Sequence, residues 1–496
     1  MFNFLESIFV ILSVVVFSVY LFLAWNLNYW KNRGILGPKP EIIFGNLRNS
    51  FLMKRHMMYE FDDIYRQYKE KDKFVGVFMG RSPYLLLIDP EIIREVMVSN
   101  FKNFHANEIS RVTTTKRDPL VGPNPFLSIG GIWKSKRSEI TPAITPTRVK
   151  SNYPIMRDVA QSMTLYLESK GCIEARELAM RFTTDVTASS IYGLNGGGFE
   201  SDICRILEEG CSFTLFQTEY NFLASILPIV RRFYTPKLVN PSCEKFFIKL
   251  CQDAIKIREK TQDDLRVDLL NYLLQAKEKK NMSYMDIAAH TVTFFLDGFD
   301  TSAIAISHVL HMDIQEKLRL ELREALADKS EISFQKLIEL PYLDQVFHET
   351  LRMFPPLNVL TKICTQRHEF KNSEDKKVVI DKGTVCIINT YSLHRDEKYY
   401  PEPDKFIPER FSPENGGIKK YKEMGVFLPF GEGPRVCLGM RFALAQSKTA
   451  IAELVLNFDI SVNKKTHDDI IADPTKYMLI IDGGIWLDFN RIERDV

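Results

Sequence analysis

The 496-residue chain has no CxxC pair and no regular cysteine spacing. Its eight cysteines, Cys172, Cys204, Cys211, Cys243, Cys251, Cys364, Cys386 and Cys437, are scattered, which excludes a zinc cluster and a secreted disulfide framework and points to a reducing compartment. No G-x-G-x-x-G element occurs, so the chain carries no dinucleotide- or flavin-binding unit of its own. Charge of one sign is not in surplus either. The 65 Lys plus Arg and 63 Asp plus Glu leave +2, so no global field recruits nucleic acid. Internal repeats, low-complexity linkers and long charge runs are missing, so the several domains that length alone suggests reduce to one large unit over 46–496.

A long apolar run is present, and it comes first. From Ser7 to Trp25 the sequence SIFVILSVVVFSVYLFLAW carries no charge over 19 residues, which at 1.5 Å per residue nearly spans a hydrocarbon core of ~30 Å. Glu6 precedes it, Lys31 and Arg33 follow it, and Trp25, Tyr29 and Trp30 are placed as interfacial aromatics. The positive-inside rule then puts the rest of the chain in the cytosol. A cleaved signal peptide would need a basic n-region and an A-x-A site, and neither is present. Residues 1–30 therefore read as a retained transmembrane anchor. In GILGPKPEIIFGN the glycines and prolines at 34–40 break any helix, so 31–45 reads as a stiff, extended hinge.

The body reads as mainly helical, an α+β architecture with small marginal sheets. Amphipathic periodicity predicts helices at 153–169, 201–216, 243–262, 284–311, 313–327 and 342–353, with another at 439–457 after a glycine-rich loop. Strand-like runs lie at 74–80, 84–89, 377–380 and 384–388.

The densest chemistry lies in FLPFGEGPRVCLG, where Phe430, Gly431, Gly433, Arg435, Cys437 and Gly439 form F-G-x-G-x-R-x-C-x-G ahead of an apolar helix. A metal-bound thiolate needs an enclosed sulfur that stays ionised. Glycines let the backbone turn N–H groups onto it, and a helix starting near Leu438 adds its positive end. Upstream, His348-Glu349-Thr350-Leu351-Arg352 contains E-x-x-R on one helical face, and Pro408-Glu409-Arg410-Phe411 follows before the cysteine.

The cysteine loop resembles the haem-ligand signature of the cytochrome P450 family, and the other landmarks fall in that family's order from about residue 30 to 490. The resemblance implies the P450 fold and haem b, with Cys437 as the axial thiolate. Arg435, Trp133 and Arg137 are implied as propionate partners, with Phe430, Gly431 and Gly439 lining the cofactor. Lys362 stands where relatives usually have Arg; a Lys keeps the charge and loses the bidentate fork. Glu349, Arg352 and Arg410 are implied as a structural lock. FFLDGFDTSAIAIS, 294–307, resembles the oxygen-handling helix, with Thr301 as catalytic hydroxyl, Asp300 as catalytic acid, and Gly298 allowing the helix to open locally.

Two departures stand out. Asp297 takes a position where most relatives have Ala, and lies i,i+4 from Thr301. A carboxylate there is costly unless paired or protonated; it would bind a cationic or hydroxylated substrate, bond to backbone, or attach covalently to the haem as Glu does in one branch of the family. The stretch from Thr301 to DIQEKL is also about five residues shorter than the family's usual spacing, roughly one and a half turns, so the helix end or its turn must be trimmed.

By resemblance the chain is an endoplasmic-reticulum monooxygenase of the insect microsomal branch, acting on lipophilic substrates such as hormones or foreign compounds. Electrons would come from NADPH through NADPH-cytochrome P450 reductase, with cytochrome b5 as a further partner. Lys134, Lys136, Arg441 and Lys448 are a candidate basic docking patch. Apolar segments near 105–125, 205–235, 294–301, 355–362 and 470–478 are candidate substrate walls. A haem-thiolate isomerase or dehydratase, and a catalytically impaired haem binder, are the alternatives left open.

Overall fold

The computed structural model describes residues 2–194, 196–201, 203–211, 215–261, 267–326 and 331–493. The helices that matter below are α1 (Phe2–Ala24), α2 (Gly130–Ile140), α3 (Tyr153–Glu168), α4 (Ala175–Tyr192), α5 (Tyr284–Leu310), α6 (Gln315–Leu326), α7 (Pro341–Met353) and α8 (Met440–Asn457). The strands are β1 (Phe74–Met79), β2 (Ser82–Leu87), β3 (Cys172–Glu174), β4 (Val359–Ile363), β5 (His368–Lys371), β6 (Lys377–Ile380), β7 (Val385–Asn389), β8 (Phe458–Val462) and β9 (Trp486–Arg491). The chain is helix-rich with small sheets, as the periodicity predicts. Of the predicted helix at 201–216, residues 203–211 are helical, while 202 and 212–214 lie outside the described residues.

The chain packs as two compact units that interleave in sequence. The first comprises Met1–Glu108, Thr214–Pro236 and Val359–Ser392; the second comprises Ile109–Phe213, Lys237–Asn358 and Leu393–Val496.

In the first unit a four-stranded sheet has the order β1-β2-β7-β4, and β5 pairs with β6 separately. β7 is central, parallel to β2 and antiparallel to β4. Its sequence VCIIN is buried throughout, because a strand flanked on both edges has little surface left for polar side chains. α1 carries an apolar window, Glu6–Ala24, none of which is buried, and by length and composition it suffices to cross a membrane. The 31–45 segment is tied down: Leu36 O accepts from Gly76 N at 2.8 Å, Gly45 bridges to Met79, and Trp30 Nε1 donates to Val77 O at 3.1 Å.

The second unit is built around α5. Its start is set by a capping box in which Ser283 Oγ accepts from Asp286 N at 3.1 Å and the Asp286 carboxylate accepts from Ser283 N at 2.9 Å, satisfying donors that a helix end leaves free. From Ser302 to Leu310 every residue is buried. Each buried Ile or Val there contributes about 1.5–3 kcal/mol of apolar transfer, so this half of α5 is held by packing. The helix runs 27 residues to Leu310, and only 311–314 separate it from α6. A three-stranded sheet, order β3-β9-β8, completes the unit.

Candidate active site

Within the second unit, the cysteine loop folds back on itself before α8. Gly431 and Gly433 have φ of 67° and 72°, in the left-handed region where a side chain would be strained. The turn lets Cys437 N donate to Phe430 O at 2.9 Å. Gly439 differs from the other two glycines: its φ is −80°, so no backbone strain calls for glycine there. A Cβ built there meets only Cys437 Sγ, at 4.0 Å.

α8 has no side-chain cap. The backbone N–H groups of Gly439 and Met440 act on the Cys437 sulfur and favour its charged form, so the sulfur feels the positive end of the helix. Cys437 keeps accessible surface although protein encloses it, which means that this surface lines an interior hollow. Burial pushes the thiol up to about 11; the two amides and Arg137 work against that, and the Asp297 charge reinforces it.

Two guanidiniums flank this loop. Arg435 donates through Nη1 to Pro125 O at 2.8 Å and through Nη2 to Ser128 O at 2.7 Å, and lies over the Trp133 ring at 4.8 Å. From α2, one turn beyond Trp133, Arg137 Nη2 donates to Val436 O at 2.8 Å. Burial, reinforced by Arg137, pulls Arg435 down to about 10, and burial lowers Arg137 as well. Neither forms an ion pair among the described residues, and Arg435 Nε is buried without a partner. Two adjacent half-buried cations are stabilised by an anion beside them. A planar cofactor with acidic side arms and a thiolate-seeking metal fits this donor set.

Across from the sulfur, α5 departs from expectation. The helix runs unbroken through Gly298, with no local opening. Gln446 of α8 clasps it there, Nε2 donating to Gly298 O at 3.0 Å and to Ser302 Oγ at 2.7 Å. Thr301 Oγ donates back to Asp297 O at 2.8 Å, the back-bonded state common for helical threonine. Asp300 points away from Thr301, because neighbours on a helix do not share a face. Its carboxylate takes Arg176 Nε at 3.0 Å and Nη2 at 2.8 Å, and Arg176 reaches on to Glu208 at 2.9 Å. Burial raises the Asp300 pKa even against Arg176. A cavity of about 230 Å³ lined by Glu174, Arg176, Ser307, His308 and 479–485 adjoins this pair; Cys437 and Asp297 do not line it.

The Glu349, Arg352 and Arg410 cluster closes as the motif order predicts. Arg352 donates to both Glu349 oxygens at 2.7 and 2.8 Å, and Arg410 Nε reaches Glu349 at 3.2 Å. His394 is a member that the sequence reading missed. It accepts from Leu428 N at 2.9 Å through Nε2, and its Nδ1 meets Arg352 O at 3.2 Å, so it carries the lock to the start of the cysteine loop. Burial holds it neutral, down to about 3. It lies in YSLHRDE, 391–397, where no spacing marks it out.

Two readings are corrected. Lys448 is 1% exposed, bound to Asp344 at 2.7 Å and Ile338 O at 2.9 Å. Lys136 is bound to Asp286 at 2.7 Å and Glu139 at 3.0 Å. Neither is available to a docking partner, and of the four only Lys134 and Arg441 are exposed. Lys362 lies in the first unit, buried on β4 in register with Cys386.

A helix-rich fold with a cysteine sulfur at the head of a helix and two half-buried guanidiniums beside it fits a haem-thiolate class of protein. The family model for cytochrome P450 matches residues 36–487, and the chain belongs to that family. It is similar to probable cytochrome P450 28a5 of Drosophila melanogaster, 40% identical across 97% of this chain and 99% of that protein. It is also similar to probable cytochrome P450 309a1 of the same species, at 33% over 98% of both, and to cytochrome P450 6j1 of Blattella germanica, at 31% over 99% of both. The chain is accordingly a monooxygenase oxidoreductase of a family that binds haem b through a cysteine thiolate and takes electrons from a reductase.

Proposed function

We propose that the chain is a microsomal monooxygenase of lipophilic molecules, insect hormones or foreign compounds such as insecticides among them, driven by NADPH through NADPH-cytochrome P450 reductase. The observation that carries this is the Cys437 sulfur favoured in its charged form by the N–H groups at the head of α8. Cys437 holds the iron as a thiolate, and Gly439 N and Met440 N stabilise its charge. Arg435, Arg137 and Trp133 take the propionates by charge-assisted and polar hydrogen bonds, while Phe430 and Gly431 shape the loop. Bound haem supplies reductive activation of dioxygen and transfer of one oxygen atom to the substrate. Thr301 Oγ, once released from Asp297 O by a χ1 rotation, would hold a proton for delivery to bound oxygen. Asp300, whose buried carboxyl takes up a proton readily, resupplies it on leaving Arg176.

α1 serves as a single-pass anchor in the endoplasmic reticulum membrane with the catalytic body cytosolic. Cytochrome b5 serves as an accessory electron donor, and Lys134 and Arg441 remain for docking. The test reconstitutes purified protein with the reductase and screens lipophilic substrates. Product formed in step with NADPH consumption supports the proposal. A thiolate-type carbon monoxide spectrum that persists in Cys437→Ser rejects the ligand assignment, and turnover of organic peroxides without NADPH favours an isomerase.

A further inference from the structure

Asp297 is an acidic group near Cys437 that the proposed mechanism leaves unused. The only described hydrogen-bond partner of its carboxylate is Asn124, whose Nδ2 lies 3.2 Å from Oδ1 and 3.1 Å from Oδ2. The direction of that amide is fixed from the other side, because Asn124 Oδ1 accepts Phe126 N at 2.7 Å. A single nitrogen is thus shared between two oxygens that together offer about four lone-pair sites. The Asp297 side chain keeps accessible surface although burial pushes its carboxyl up to about 6. It faces an enclosed hollow, near enough to Cys437 for its charge to act on that sulfur. Phe294, one turn back on the same helical face, is also partly accessible.

A carboxylate whose two oxygens share a single neutral amide, with no cation beside it among the described residues, is costly as an anion away from bulk water. An incoming cation offsets that cost. Arg435 and Arg137 do not serve, since neither is hydrogen-bonded to Asp297 among the described residues and the proposed function gives both to the propionates.

We propose that Asp297, oriented by Asn124, is a specificity-determining anchor for the ammonium group of lipophilic basic amines. The inference rests on the reading of the Cys437 hollow as the oxygenation site and names its substrate class. The ammonium sits against the carboxylate and the apolar remainder lies along the Phe294 side, so oxidation falls at a set distance from the nitrogen. Asn124 acts as a positioning residue: it turns the carboxylate and adds no charge.

The test is equilibrium dialysis of the haem-loaded full chain with four probes. These are phenylbutyl-dimethylamine, its trimethylammonium analogue, phenylbutanol, and the hydrocarbon in which carbon replaces the nitrogen. The wild type is expected to bind both cations at least about tenfold more tightly than the hydrocarbon, with the alcohol near the hydrocarbon. Asp297→Asn is expected to abolish the preference while holding the hydrocarbon as before. Equal binding of amine and hydrocarbon by the wild type overturns the proposal whether or not the variant loads haem. An alcohol bound as tightly as the amine also overturns it, as does an unchanged ratio in Asp297→Asn. Failure of the underlying reading is separable: a hydrocarbon that fails to shift the haem absorbance on binding places the bound probes outside the oxygenation site.

Discussion

Glu349 and Arg352 face each other fork to fork, both carboxylate oxygens engaged by the guanidinium at 2.7 and 2.8 Å, with neither side chain exposed. The pair is three residues apart on α7, so the helix itself sets the geometry. Arg352 also donates to His394 O at 2.8 Å and Lys405 O at 3.2 Å, and Glu349 accepts Ile407 N at 2.9 Å. A bond to Arg410 extends the cluster to the segment ahead of the cysteine loop.

Replacing Glu349 with Gln removes the charge and leaves two buried guanidiniums uncompensated. The expected loss is roughly 3–5 kcal/mol of stability, read as a lower urea midpoint together with reduced haem content. An unchanged midpoint contradicts the assignment of Glu349 as the centre of the lock.

Arg435→Gln keeps a hydrogen-bonding tip and deletes one of the two cations beside Cys437. Haem transfer to a competing apoprotein is expected to accelerate by roughly tenfold or more, the scale of one charge-assisted hydrogen bond. Retention equal to wild type assigns the propionates to other residues.

Acid stability has an identifiable contributor in Glu139. Burial opposes its charge, but hydrogen bonds from His290, Lys136 and Ser135 outweigh that and hold it at about 2. A carboxylate lowered in the folded state contributes stability that is present above its ordinary value near 4.5 and lost as pH falls toward about 2. Glu139→Gln is therefore expected to be less stable than wild type at neutral pH, with the difference shrinking across that window. Urea midpoints measured across the same pH range check it.

Gly433→Ala forces a side chain into φ of 72°. The strain of about 1–2 kcal/mol falls on the turn that places Cys437, so lower haem occupancy is expected with little change in helix content. Absorbance and circular dichroism on one sample separate the two effects.

Much of the fold was legible because helical periodicity and a buried strand's apolar run are local. The predicted helix at 284–311 is α5 to within a residue, and 377–380 is β6. Order along the chain was enough to connect Glu349, Arg352 and Arg410, since an i,i+3 pair and a downstream Arg are readable in one dimension. Asn124, Arg176, His394 and Gln446 were not legible. Each acts by meeting an atom far away in sequence: Asn124 meets Asp297, Arg176 meets Asp300, His394 meets Leu428 N, and Gln446 meets Gly298 O. Lys448 misled because a charged residue on a helix reads as solvated until the surrounding packing is known.

By itself the sequence determined the class of chemistry. A cysteine set between glycines at the head of an apolar helix, with an arginine two residues before it, is a short-range arrangement whose geometry follows from backbone conformation alone. Only the tertiary structure decided how the groups on α5 are used. Thr301 is held to its own helix, Asp300 is drawn to Arg176, and Asp297 is left against a neutral amide in an enclosed hollow. Those outcomes depend on which side chains from α4, α8 and the 124–128 turn arrive within hydrogen-bonding distance, and no spacing along the chain encodes that.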